Sequence, residues 1–471
     1  MWDNLKNISD VSGRGALCVG GYIGWYLTVL YICRRNLEIY GTSAFFDGMQ
    51  MLFGGALLGL MAVMLLMMFH LDFEGLLGHR YFRAVPAILM AESGVALAFT
   101  NADSFGVYAV ITGICASFGV LAVFSSLLRV RVSQRIVSVA LGTALGGAVR
   151  LADAFLYGVT GMTRGILLLA ALSGLLVLLT VRSSAFSKED MPIISYSEAS
   201  FRTLLRHMPA AYGLLFVAAF VFHLCLGGMD TMGETLAPPT FGAQDFFSYA
   251  PYLLTALLIG IFVKFYSVTA MYAVGVCLTG YAAILLGLPY FSAAENAAFL
   301  VCRFAGEACF VIFAYLLIVT FAMDRQHPLF YAVFGFASLT AARLAAEACN
   351  AFLPPISWTW LLTLLAGLPV IGAPWVHALL RMHGLTKESF ALHNALREAI
   401  AAKAEAMALT DREKYLLELV VLDGYTLDRL PDKMMLSRNT VRAQARNLLK
   451  KLDVEELSSL RDYFITSLPS A

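Results

Sequence analysis

Charge is what this sequence has least of. Only 14% of its 471 residues are Asp, Glu, Lys or Arg, against 59% apolar, and mean hydropathy is +0.75. Soluble globular chains carry about a quarter charged residues, so an ordinary soluble enzyme with one core is excluded. Disorder is excluded too, because it needs low hydrophobicity and high net charge. With 33 basic and 32 acidic residues the formal charge is +1, which gives no global attraction for nucleic acid. The eight cysteines stand singly in apolar stretches, with no C-x-x-C and no Cys/His cluster of zinc spacing. Small packing residues are the simplest reading of them. There is no P-loop, no zinc-protease helix and no G-x-S-x-G. No catalysis, cofactor or metal is therefore expected.

Long apolar runs are abundant. A membrane helix needs roughly 17–25 mostly apolar residues, and twelve stretches qualify: near 15–33, 48–70, 83–101, 105–128, 134–157, 161–181, 208–229, 246–265, 268–290, 297–322, 329–352 and 357–380. Lys and Arg in short loops set the orientation. With the N-terminus inside, thirteen basic residues from Lys6 to Arg325 lie inside, and only Arg34, Arg35 and Arg164 outside. Both termini are then expected in the cytoplasm. A longer central loop, about 182–207, divides the spans into two sets of six, as in transporters built by duplication.

Ionisable residues within spans are costly, a few kcal/mol each at mid-bilayer. Here they recur at helical spacing: Arg150 with Asp153, Arg303 with Glu307, and Arg343 with Glu347. Arg150 lies in the fifth span and Arg343 in the eleventh, equivalent places if span n matches span n+6. Glu92, in the third span, has no local partner. These seven residues are the candidate ligand-binding set, for a charged or zwitterionic small molecule. Packing pairs that fix the bundle are the alternative. His70 and His223 are expected near the membrane interfaces. Gly54-Gly55, Gly146-Gly147 and Gly227-Gly228 are expected where helices approach closely. The twelve-span layout resembles the major facilitator superfamily, and Gly78-His79-Arg80-Tyr81-Phe82-Arg83 is similar to a basic loop of that family.

Composition changes near residue 380: the last 91 residues hold 14 of the 33 basic residues. Residues 381–408 read as an amphipathic helical linker, with Leu392, Leu396 and Ile400 in register, either a spacer or a dimerising coil. Residues 409–471 read as four short helices. Thr410 and Glu413 form a capping box, and the helix behind it should bury Tyr415, Leu416, Leu419, Val420 and Leu422 before Gly424 ends it. Leu427, Leu430 and Met434 should face inward in the next segment, which Pro431 should kink or shorten. Ser437 should cap a third helix whose buried stripe is Val441, Ala445, Leu448 and Leu452. A fourth runs through Leu457, Leu460 and Phe464. From Lys433 to Leu452 there are six basic residues and no acid. A solvated helix usually interleaves Glu with Lys, whereas a one-sided basic helix after a tight turn can enter a major groove.

Leu409-Thr410-x-Arg412-Glu413, Gly424 with Thr426, Leu436-Ser437-x-x-Thr440-Val441-Arg442 and Lys451-Leu452-x-Val454 together resemble the LuxR-type helix-turn-helix, over about residues 409–466. The resemblance implies that Ser437 opens a recognition helix, that Thr440 and Arg442 face double-stranded DNA, and that the fourth helix supports a homodimer on DNA. Arg438, Asn439, Ala443, Arg446, Lys450 and Lys451 complete the candidate DNA-binding set. The whole chain then reads as an all-α polytopic bundle with a small DNA-reading tail, in a bacterial cytoplasmic membrane. Its partners would be lipid, DNA and an unidentified small molecule. The function read first is a one-component transcriptional regulator. The alternative is a secondary transporter with a regulatory tail.

Overall fold

The computed structural model describes residues 10–40, 42–68, 80–100, 102–130, 132–160, 210–236, 243–261, 268–286, 293–323, 328–352, 387–422, 425, 427, 430–434, 436–454 and 456–466. Nearly all of these are helical, and none is in a strand. The chain divides into two compact units: one ends at Leu379, and the other consists essentially of Leu380–Ala471.

The first unit has ten described helices: α1 (Asp10–Tyr40), α2 (Thr42–Met68), α3 (Arg80–Ala98), α4 (Ala102–Arg129), α5 (Val132–Thr160), α6 (Ala210–Leu236), α7 (Ala243–Ile261), α8 (Val268–Leu286), α9 (Ala293–Met323) and α10 (Pro328–Phe352). They coincide with spans one to five and seven to eleven; spans six and twelve lie outside the described residues. Stretches of α2, α4, α5, α9 and α10 are long and apolar enough to cross a bilayer, and the other five helices carry shorter apolar stretches. Several helices outrun their spans. The 31 residues of α1 and of α9 rise about 46 Å, beyond a hydrocarbon core of about 30 Å, since backbone bonding continues past the apolar boundary.

Helix pairing repeats between the two halves. In the first half α1 packs on α5, α2 on α4 and α3 on α4; in the second, α6 packs on α10, α7 on α9 and α8 on α9. Across the halves α2 meets α10, and α5 meets α7. Each pairing has its counterpart six spans on, as a duplicated bundle requires.

Lipid is as apolar as Leu, so close backbone approach holds such helices together. A Cβ on Gly55 would run into the carbonyl of Val110, and one on Gly113 into that of Leu52, so α2 and α4 touch through bare backbone. On Gly146 it would meet Ile23 at 2.6 Å and the Gly24 nitrogen at 3.0 Å, which joins α5 to α1. Of the expected Gly-Gly pairs, Gly54 has nothing within 4 Å; its neighbour alone faces the seam. Several hydroxyls within the bundle are satisfied on their own helices, while Thr112 of α4 donates to the Ser93 carbonyl of α3 at 3.2 Å. Thr28, Thr143, Thr279 and Thr340 each donate to the carbonyl four residues back, at 2.8–2.9 Å.

The second unit comprises α11 (Lys387–Ala406), α12 (Asp411–Val421), α13 (Leu430–Met434), α14 (Arg438–Leu452), a 3₁₀ turn (Leu457–Ser459) and α15 (Leu460–Thr466). Thr410 and Glu413 form the capping box: the Glu413 N–H donates to Thr410 Oγ1, and the Thr410 N–H donates back to Glu413 Oε2 at 2.9 Å. Ser437 caps α14, accepting from the Thr440 N–H at 3.2 Å, and Asp453 closes it in the left-handed conformation (φ 55°). The stripe of α14 is as expected, with Val441, Ala445, Leu448 and Leu452 all buried. α12 departs from its reading, since Tyr415 is exposed while Leu417 and Val421 are buried. Its neighbours α11, α13, α14 and α15 surround it, and this wraps the apolar face beyond the stripe that periodicity suggested. Pro431 is the second residue of the five-residue α13, where a missing N–H costs no intrahelical bond.

The linker helix α11 belongs to this unit. Leu396, Ile400 and Ala404 are buried, the first two in one core with Leu416, Leu448 and Phe464. A second tie joins distant segments: Lys451 Nζ donates to Glu413 Oε2 at 2.7 Å, pinning the end of α14 to the start of α12.

Gly113→Leu should cost about 1–3 kcal/mol by overpacking the α2–α4 seam and lower the unfolding temperature of the detergent-purified protein. Gly54→Leu, facing open space, should leave it unchanged. In the tail, burial pushes the Glu413 carboxyl up, but its bonds from Lys451 and Thr410 outweigh this and hold it below its ordinary range. A depressed native pKa adds stability above the unfolded value of about 4.3, and that stability is lost as pH falls through the native value. Circular-dichroism melts of residues 385–471 should show this acid loss. Glu413→Gln should flatten it and cost about 1–2 kcal/mol at neutral pH.

Candidate functional site

The spans bring polar and aromatic side chains together at the centre of the first unit. There α1, α2, α4, α6, α7, α9 and α10 line a partly open cavity. Of the seven charged residues singled out in the spans, Glu307 and Arg343 line this cavity. Their helical partners stand one turn away: Arg303 Nη1 is 3.8 Å from Glu307 Oε2, and Arg343 Nε is 3.9 Å from Glu347 Oε1. Both separations make ion pairs and neither is a hydrogen bond.

The arginines rest on aromatic faces, where the ring quadrupole attracts a cation. Arg343 Cζ lies 4.6 Å from the Phe53 ring centroid and 5.3 Å from that of Tyr26. Arg150, fully buried on α5, lies 4.9 Å from the Tyr249 centroid. The two placements are equivalent. An arginine of the fifth span meets a ring of the eighth, and an arginine of the eleventh meets a ring of the second. Arg303 lies 4.3 Å from the Phe304 centroid. Arg150, Arg303 and Glu347 are buried but do not line the cavity. Glu92 is exposed on α3, away from the cavity lining, because the register of that helix turns it outward. The side chain of Asp153 lies outside the described residues, as does His70.

His223 departs from its interfacial reading. α6 extends from Ala210 to Leu236, so the residue is mid-helix, buried, and part of the cavity wall. The sequence reading also passed over the aromatic lining. A signal for it existed, since Tyr22, Trp25 and Tyr26 stand three and four residues apart on one face of α1. Among the described residues no group of His, Cys, Asp and Glu is placed to hold a metal ion.

In the second unit the candidate set occupies α14. Arg438, Asn439, Thr440, Arg442, Ala443, Arg446, Lys450 and Lys451 are all exposed, opposite the buried stripe. At four-residue spacing Arg438, Arg442, Arg446 and Lys450 run along one side. Lys451 differs, because its ammonium is engaged by Glu413 of α12. Gln444 is half-buried.

No family model matches the sequence, and no curated protein does. Solved structures do. One is the major facilitator superfamily proton:xylose symporter XylE bound to 6-bromo-6-deoxy-D-glucose, with a TM-score of 0.52 and 14% identity over 78% of this chain and 94% of that one. Another is a mutant of the nucleoside transporter NupG, with a TM-score of 0.48 and 12% identity over 79% of this chain and 99% of that one. The bundle α1–α10 is therefore a multi-pass membrane unit with a fold like that of the major facilitator superfamily.

Proposed function

We propose that this chain is a membrane protein whose transporter-like bundle binds a small molecule and whose tail binds promoter DNA, so that ligand in the bundle regulates transcription. The observation that carries the DNA reading is α14 itself. It is a capped helix with one fully buried stripe, and an opposite face with four basic side chains and no carboxylate. Lys and Arg on such a face neutralise phosphates, while Asn439, Thr440 and Arg442 near its start can reach base edges. The short α13, a turn at Ser437 and then α14 supply the order of elements that a LuxR-type helix-turn-helix uses, and a homodimer on DNA follows from that reading.

For the bundle, the fold likeness supports transport better than the sensing role that the sequence put first, and a secondary transporter with a regulatory tail is the second reading. Under either, occupancy of the cavity shifts the population of bundle states, and the connection from α10 to α11 carries the shift to the tail. Coupling of this kind is typically worth about 1–3 kcal/mol, enough for a several-fold transcriptional response.

Arg438, Arg442, Arg446 and Lys450 allow a log–log salt slope of about −3.6 per tail for duplex DNA, at about 0.9 per phosphate contact. Fluorescence anisotropy with the full chain in nanodiscs measures it, and a slope near zero removes the DNA reading. Arg442→Ala should weaken binding while leaving the helical signal intact; Val441→Asp should unfold the tail by burying an unpaired charge. To separate the two readings of the bundle, proteoliposomes with and without residues 381–471 should be assayed for uptake of a labelled metabolite panel. Concentrative uptake by the truncated chain favours the transporter, and equilibrium binding without uptake favours the sensor.

A further inference from the structure

The lining of the cavity discriminates between classes of small molecule. Nine of its 22 lining residues are Phe, Tyr or Trp, against 12% in the chain as a whole. Tyr26, Phe53, Phe222, Tyr252, Phe310 and Tyr315 make up much of the wall, with Phe222 and Phe310 stacked at 4.0 Å. No Asn or Gln lines the space. Two of the polar groups that do are committed to the main chain: Trp25 Nε1 donates to the Met90 carbonyl at 3.2 Å, and Thr340 Oγ1 donates to the Phe336 carbonyl at 2.9 Å. A polyhydroxylated ligand needs a partner for each hydroxyl it buries, and besides Trp25 and Thr340 the side chains here able to serve are Tyr22, Tyr26, Tyr252, Tyr315, His223, Glu307 and Arg343. A flat ring finds faces and edges of other rings on several sides.

The two charges in the wall are unequally served. Glu307 has the Arg303 guanidinium on its own helix, and a further interaction besides. Arg343 Nε is buried and makes no hydrogen bond, and its carboxylate partner Glu347 stays at 3.9 Å, outside the cavity lining. Phe53 and Tyr26, themselves part of the wall, lie against the guanidinium without consuming its donors. A guanidinium whose Nε–H makes no hydrogen bond is matched in charge and in donors by a carboxylate.

We propose that the cavity takes an aromatic carboxylate, its ring against the aromatic wall and its carboxylate on Arg343. The proposal rests on the reading of the bundle as a small-molecule site and names the class of that molecule. No bond is made or broken; the ligand binds as the ionised acid.

The test uses the full chain in nanodiscs and thermal-shift titration with benzoate, phenylacetate and cinnamate. Controls are phenethylamine (same ring, opposite charge), cyclohexylacetate (same charge, no aromatic face) and xylose. At least one aromatic acid should stabilise saturably, with each control at least tenfold weaker. Arg343→Gln should weaken binding at least tenfold, and Arg343→Lys should keep part of it. Because Arg343→Gln strands Glu347, the double variant Arg343→Gln, Glu347→Gln supplies a neutral site that should fold and still fail to bind. Stabilisation by phenethylamine or xylose in preference to the acids overturns the ligand class while a small-molecule bundle stands. Unchanged affinity in the double variant overturns the role of Arg343, and silence of the whole panel overturns the class. DNA affinity, measured on the same preparation without ligand, reports separately on the tail.

Discussion

Hydrocarbon offers no hydrogen bond, so a polar group in the bundle must find its partner within the protein. The arrangement of α1–α10 can be read from that constraint. Threonines turn back on the carbonyl one turn earlier. Glycines let α2 and α4 meet backbone to backbone. The arginines cannot lose their charge: Arg303 and Arg343 have carboxylates one turn away, and Arg150, Arg303 and Arg343 lie against aromatic faces. Arg150 on Tyr249 and Arg343 on Phe53 are the same solution used twice, each tying one half of the bundle to the second span of the other. Removing one partner of such a pair costs more than removing both, because a lone charge would remain in low dielectric.

Several buried polar atoms of the bundle nevertheless make no hydrogen bond, among them Asn350 Nδ2 and Oδ1 and Arg343 Nε. Among the residues that carry such atoms, Arg343 is the one that lines the cavity. A binding site needs such a residue, with interactions held back for a guest. The aromatic wall offers a guest ring faces and edges around that charge.

The tail works by the opposite economy, because water covers its outside. One stripe of α14 is enough to hold it on α12, and the core extends through Leu396 and Ile400 of α11. The linker's apolar register is therefore used within the unit itself. The exposed side of α14 is left with basic residues spaced four apart, while Lys451 is turned back to Glu413 and holds the end of α14 to the start of α12. Ligand response, on the proposed reading, would enter this unit through α11, which shares its core.

The sequence by itself determined what depends on neighbours within about four residues or on composition: the helices of spans one to five and seven to eleven, the capping box at Thr410, the cap at Ser437, the buried stripe of α14 and its acid-free face. Each follows from local hydrogen bonding or from a 3.6-residue period. Only the tertiary structure decided which charges reach the cavity, that His223 is buried, that Gly55 and not Gly54 lies in a seam, that Tyr415 faces outward, and that Lys451 belongs to Glu413. In the bundle the reason is that lipid and protein interior are equally apolar, so spans that are apolar all round carry no moment to fix their rotation. A helix turned by one residue presents a different set of side chains to the centre, and helix–helix packing settles that phase. In the tail, the tie from Lys451 to Glu413 joins residues 38 apart, a distance that no helical period can encode.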